Sequence, residues 1–379
     1  MHLFERRVAR GEPFFPAFFM LSVTNQCQLR CPGCWVEQTR PVNSLTRSQL
    51  DGIVTTARKY GSSFFGILGG EPLLHSELMA FFQAYPRAYF QLFTNGLTLD
   101  DTTACRLAEL GNVSPLISLE GLAEGTRTRR GSEKIFDAAL AAVQASVRAR
   151  LFTGVASSIS RSNFDELVCE EHIERLVALG VHYVWYYIYR PVGGEPCTEE
   201  TLTREQITVL RKFIVEQRTK AKLLVIDAYW DADGHAVCPG AMGMSHHIAP
   251  DGAIEFCPPL QFASGHLNAD ASNLEEILQS HAYLRDLRSF TAGHSRGCIL
   301  LDDPNALHGF LSGKLKIRAE GMENSTRLFD TTHRGDGLAE LVAMQSRPDH
   351  HDPANVIPDK SFLYRFAKRK YFFGFGAYG

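Results

Sequence analysis

Residues 17–35 read AFFMLSVTNQCQLRCPGCW: a largely apolar run, 17–23, leading straight into three closely spaced cysteines. The run reads as a first strand, and the chain beyond it repeats the pattern. Further strand patterns fall at 63–68, 89–93, 113–119, 153–159 and 182–188, separated by amphipathic stretches at 46–60, 76–84, 99–110, 133–149 and 165–179. The first of these has clear ends: Thr46 as N-cap, Gln49 completing a capping box, and Gly61 just past the last turn. Strand–helix units in succession predict a parallel sheet with helices outside, an α/β fold. We therefore expect a partial (β/α)6 TIM-type barrel, whose chemistry gathers at the carboxyl ends of its strands. The cysteines sit at the first such end.

Cys27, Cys31 and Cys34 have the spacing C-x3-C-x2-C. Thiolates converging from one loop suit a cubane iron–sulfur cluster, and three ligands leave one iron open. A closed structural zinc site wants a fourth ligand close by, and the next histidine along the chain, His75, is far off. Nine cysteines, odd in number and unevenly spread over 379 residues, do not form a secreted disulfide framework. The three clustered within eight residues near the N-terminus read as metal ligands in a reducing compartment.

Bulk numbers exclude little else. Hydrophobic residues are 45%, charged residues 21% and the formal net charge is −3, so no global field recruits nucleic acid. Arg6, Arg7 and Arg10 precede the apolar run 14–23, but that run is Phe-rich, contains Pro16 and lacks a small-residue cleavage site. No other stretch is long enough to span a bilayer, and a cytoplasmic location is expected.

Beyond its cysteines the N-terminal half resembles the radical S-adenosylmethionine (SAM) superfamily. GGEP at 69–72 comes after the second strand, as that family's glycine-rich motif does. The resemblance implies that Gly69, Gly70 and Pro72 bring backbone to the methionyl end of SAM, and that Glu71 faces its ammonium group. Asn95, in TNG at the third strand end, and Ser118 and Glu120, in SLEG at the fourth, are implied to meet methionine and ribose, with Arg130 of the downstream Arg-Gly pair. Arg190-Pro-Val192-Gly193 closes the sixth strand, where the family packs backbone around adenine. One departure stands out: the family often has an aromatic residue before the third cysteine, and here Gly33 stands there, with Trp35 after. The implied chemistry is reductive cleavage of SAM, bound to the open iron of a [4Fe–4S] cluster, to a 5′-deoxyadenosyl radical that takes hydrogen from an organic substrate. The electron would come from a flavodoxin- or ferredoxin-type donor.

After a helix at 203–218 and a short strand at 223–226 the texture changes, giving a core domain at 1–222, a second unit at 223–320 and an extension at 321–379. Cys238, Gly252 and Cys257 stand as C-x13-G-x4-C, with Cys298 further on. Gly252 lies in PDG, a natural turn between two short strands. This part is similar to the SPASM and twitch extensions of the superfamily and implies a small α+β domain with one auxiliary [4Fe–4S] cluster. Its fourth ligand is open among substrate, water, His235, His246, His247 and Cys197, and a zinc site or unrelated buried thiols is the plainer alternative. Cys105 and Cys169 fall in helical stretches and read as core residues. The terminal SFLYRFAKRKYFFGFGAYG carries Arg365, Lys368, Arg369 and Lys370 among aromatics, and packs on the barrel, meets a membrane or lipid substrate, or covers the barrel mouth.

These readings leave several function classes. An enzyme that oxidises, crosslinks or rearranges a peptide or small metabolite is expected first. With so few residues ahead of the first strand, a peptide would be bound directly or through a separate recognition protein. A lipid-directed enzyme and a non-catalytic iron–sulfur electron carrier are the alternatives, and a zinc-binding interaction module comes third. No cobalamin-binding module favours a methyltransferase.

Overall fold

The run that opens the sequence becomes β1, Phe18–Ser22, buried at every position. Its two faces serve two layers. Phe19 and Leu21 join the large core beneath the helices, whereas Phe18 and Met20 join a smaller cluster inside the barrel with Leu68, Leu116, Ala156, Tyr183 and Trp185. A strand covered on both sides has no reason to alternate apolar and polar residues.

The computed structural model describes residues 2–311 except 37, 39–41, 133, 193–196, 228, 231–235, 295–297, 303–305 and 308. The strands after β1 are β2 (Phe64–Leu68), β3 (Tyr89–Thr94), β4 (Val113–Ser118), β5 (Gly154–Ile159), β6 (Tyr183–Ile188) and β7 (Leu224–Ile226). Each pairs in parallel with the next. Helices cover the outside, and the first after β1, Arg47–Lys59, carries the expected Thr46–Gln49 capping box. The polar stretch after β4 folds as a helix the sequence reading missed, Ala123–Arg130, while 165–179 is split into Phe164–Leu167 and Glu170–Ala178.

Beyond β7 come the short pair β8 (Tyr229–Trp230) and β9 (Ala236–Val237), then β10 (Ser245–Ile248), β11 (Ala253–Cys257) and β12 (Leu260–His266). Gly252, at φ +84°, makes the expected turn from β10 to β11. The hairpin does not stand apart. β10 pairs in parallel with β1, so one ten-stranded sheet runs β12-β11-β10-β1-β2-β3-β4-β5-β6-β7. The segments 1–222 and 223–320 thus share a sheet at both of its ends. Among the described residues no helix is long and apolar enough to cross a membrane. The extension 321–379, with Arg365, Lys368, Arg369 and Lys370, lies outside the described residues.

Candidate active site

A cavity of about 440 Å³ opens at the carboxyl ends of the barrel strands, and both cysteine sets line it: Cys27, Cys31 and Cys34 on one side, Cys238, Cys257 and Cys298 on the other. Its volume is ordinary for a small-molecule site. Among the described residues no three His, Cys, Asp or Glu side chains close around a single metal ion.

The first cysteine loop is zipped to the GGEP loop. Gly70 N–H donates to the Thr24 carbonyl and Glu71 N–H to the Gln26 carbonyl, both at 2.8 Å. A Cβ on Gly69 would lie 2.4 Å from the Thr24 carbonyl oxygen, and one on Gly70 2.3 Å from that of Gln26. The glycines therefore admit the chain's own backbone, besides presenting themselves to the cavity.

Glu71 is placed differently from the expectation. It is fully buried behind the loop, outside the cavity lining. Its carboxylate accepts from the Leu73 N–H at 3.1 Å, the Thr94 hydroxyl at 2.8 Å and the Asn95 N–H at 2.7 Å. Burial pushes its pKa up, and the donors from Asn95, Thr94 and Leu73 pull against that. In this geometry Glu71 ties the β2 end to the β3 end. Glu71→Gln places an N–H₂ where a donor already points. We expect it to cost about 1–3 kcal/mol of stability and to weaken SAM binding by tenfold or more, read by thermal unfolding and calorimetric titration with SAM. Unchanged affinity would show that the clamp does not shape the site.

Asn95 does line the cavity, with its side-chain N–H₂ 3.7 Å from the Cys27 sulfur. Ser118, Glu120, Arg130 and Val192 line it too, whereas Pro72 does not, sitting in the buried turn Pro72–Leu74. Arg130 pairs with Glu120 at 2.5 Å and reaches the Cys31 sulfur at 4.0 Å. Burial works to lower the Arg130 pKa, but Glu120 and the thiols of Cys31 and Cys34 outweigh it and raise it. Glu120 also accepts from the Ser158 N–H at 2.9 Å, which joins the β4 and β5 ends. Gly193 lies outside the described residues.

Residues 21–160 match the family profile described as the radical SAM superfamily. This segment carries a radical SAM domain. A PqqA peptide cyclase of Rhizobium meliloti is 24% identical over 286 residues, covering 71% of this chain and 76% of that one. A GTP 3′,8-cyclase of Parasynechococcus marenigrum is 28% identical over 43% of this chain and 49% of its own, and an Fe-coproporphyrin III synthase of Methanosarcina barkeri 26% over 55% of each. The chain thus spans about half the length of those two relatives. In fold it is similar to Streptococcus suis SuiB bound to S-adenosylmethionine, with TM-score 0.64 at 16% identity over 78% of this chain and 72% of that one. It is also similar to anSMEcpe with bound AdoMet, with TM-score 0.56 at 14% identity over 71% and 82%.

As a radical SAM enzyme the protein uses SAM and a [4Fe–4S] cluster, and the donor set suits them. Cys27 receives N–H groups from Leu29 at 3.4 Å and Asn95 at 3.7 Å, as a thiolate ligand does. Burial first of all pushes the Cys27 thiol up to about 11, so iron bound there would displace a proton.

Four features of this radical SAM site escaped the sequence reading. Tyr189, just past β6, fills the space above Gly33: a Cβ there would lie 2.1 Å from the Tyr189 hydroxyl. The Arg129 guanidinium lies over the same ring, 4.7 Å from its centroid, and also lines the cavity. Ser22, His247 and Glu255 form a buried chain, with Ser22 Oγ to Nε2 and Nδ1 to the Glu255 carboxylate both at 2.7 Å. The Trp35 indole meets His247 edge-on at 5.9 Å between centroids.

The fourth-ligand candidates that are described have partners elsewhere. Both His247 nitrogens are occupied. His246 faces away from the cavity, against Phe14 and Arg288, and burial brings its pKa down to about 3. Cys197 donates to Glu199 outside the cavity, and His235 lies outside the described residues. Two further thiols correct the sequence reading. Cys105 is exposed on its helix, and Cys169 is half-buried at the N-cap of Glu170–Ala178.

Proposed function

We propose that this radical SAM enzyme acts on a peptide. One observation carries the reading: similarity to a PqqA peptide cyclase runs over 71% of the chain, well past the family segment 21–160, while the two small-molecule enzymes match 43% and 55%. A second PqqA peptide cyclase, from Streptomyces rochei, is 25% identical over 64% of the chain. Structures of the fold relatives SuiB and anSMEcpe include bound peptides.

In this reading Cys27, Cys31 and Cys34 hold the SAM-binding cluster, and Cys238, Cys257 and Cys298 hold a second. Bound together, the first cluster and SAM supply a one-electron cleavage and a carbon radical that takes hydrogen from the substrate. The chain's own residues bind and orient. Gly69, Gly70, Asn95, Ser118, Glu120, Arg130 and Val192 surround SAM, and Glu71 acts from behind by fixing Thr94 and Asn95. Met20, Leu68, Phe93, Ala156 and Trp185 give the cavity an apolar floor that excludes water from the reacting carbon. A small flavodoxin- or ferredoxin-type protein delivers the electron.

The test is anaerobic 5′-deoxyadenosine formation from SAM and a reductant, with host extract added as separate peptide, small-metabolite or lipid pools. Stimulation by the peptide pool is expected. Stimulation by another pool alone would overturn the substrate class and leave the enzyme class standing.

A further inference from the structure

Two neighbouring residues just past β6 reach opposite sides of the cavity. Tyr189 goes to Gly33, between the cysteines of the first set, and Arg190 goes to the second. Arg190 Nε donates to the Cys298 sulfur at 3.0 Å, and one terminal nitrogen donates to the Ile188 carbonyl at 3.1 Å. The carbonyl fixes the guanidinium plane, so the N–H aimed at sulfur is held before any cluster arrives. The sequence resemblance put the backbone of this stretch around adenine; the Arg190 side chain faces Cys298. Cys238 and Cys257 line the same cavity, and no carboxylate forms an ion pair with Arg190 among the described residues.

We infer that Arg190 is a positioning residue of the second cluster, holding Cys298 and making that centre easier to reduce. The inference rests on the reading of Cys238, Cys257 and Cys298 as cluster ligands. Reduction adds a negative charge to a group already held by thiolates. A fixed cation in N–H···S contact stabilises the reduced form more than the oxidised one, and both charge and hydrogen bonds to sulfur raise a cluster's potential. Arginine suits the task because it cannot lose its proton in a protein and offers donors in a rigid fork. The first set has a weaker counterpart, since Arg130 meets Cys31 at 4.0 Å and is paired with Glu120. The two centres are thereby set apart electrostatically, and the second is the better electron acceptor.

The experiment is a potentiometric titration followed by electron paramagnetic resonance. It uses the reconstituted full-length chain carrying Cys31→Ala, so that the second centre is read alone. Adding Arg190→Gln should shift its reduction equilibrium about tenfold toward the oxidised form, which for one electron is about 59 mV, with iron content retained. Arg190→Lys, which keeps charge without the fork, should fall between. An unchanged potential in the Gln variant with iron retained overturns the inference. So does a Lys variant as shifted as the Gln variant, because then charge plays no part. If the Cys31→Ala chain shows no iron–sulfur signal at all, the second-cluster reading itself fails, which the iron assay separates from a failure of Arg190's role.

Discussion

Cys31→Ala protein, loaded with iron anaerobically, should form no 5′-deoxyadenosine above the uncatalysed background. Cys31 sits midway in the loop that β1 delivers to the cavity, and its sulfur is the one Arg130 approaches. Three thiols are the fewest that hold a cubane with one iron open to SAM, so losing one removes the platform for cleavage. Cys105→Ala provides the matched control: that thiol is exposed on the outer helix Asp101–Leu110, and its loss should leave the rate unchanged. Retained cleavage in the Cys31 variant would remove the N-terminal assignment.

The second large effect is on iron. Cys257→Ala should lower bound iron by about half while sparing the first cluster. Cys257 ends β11, a strand held on both sides by β10 and β12, so the fold tolerates the small residue. Burial first of all pushes the Cys257 thiol well up, and that of Cys238 to about 12. Buried neutral thiols are compatible with the apo protein, and loading them requires proton release. The loss should appear in an iron assay per chain, alongside unimpaired SAM cleavage without substrate. Unchanged iron would take the auxiliary cluster out of the account.

What sequence revealed and what it hid divide by range. The six strands after which the motifs fall were legible because a strand buried on both faces writes a continuous apolar run, as FFMLS does. The helix Ala123–Arg130 was not, because AEGTRTRR offers almost no apolar stripe to detect. Cysteine spacing singled out the loop proposed to hold the cluster, but periodicity alone could not tell that Cys105 faces outward. Tyr189 left one trace, the glycine standing where the family often has an aromatic. The Ser22–His247–Glu255 chain left none: Ser22 and His247 are 225 residues apart, and each is unremarkable in its own neighbourhood. Likewise nothing near residue 245 announces that its strand completes the pairing of β1. Local patterns show what a segment is; they do not show what it will meet.

The place of β1 between β2 and β10 also sets an order of assembly. Chains emerge from the ribosome at about 5–20 residues per second, so β1 waits tens of seconds, one flank unpaired, before its partner at Ser245–Ile248 exists. Throughout that interval an apolar strand edge is open to any other nascent chain. The cysteine loop hangs from this half-paired strand until Ser245–Ile248 has emerged.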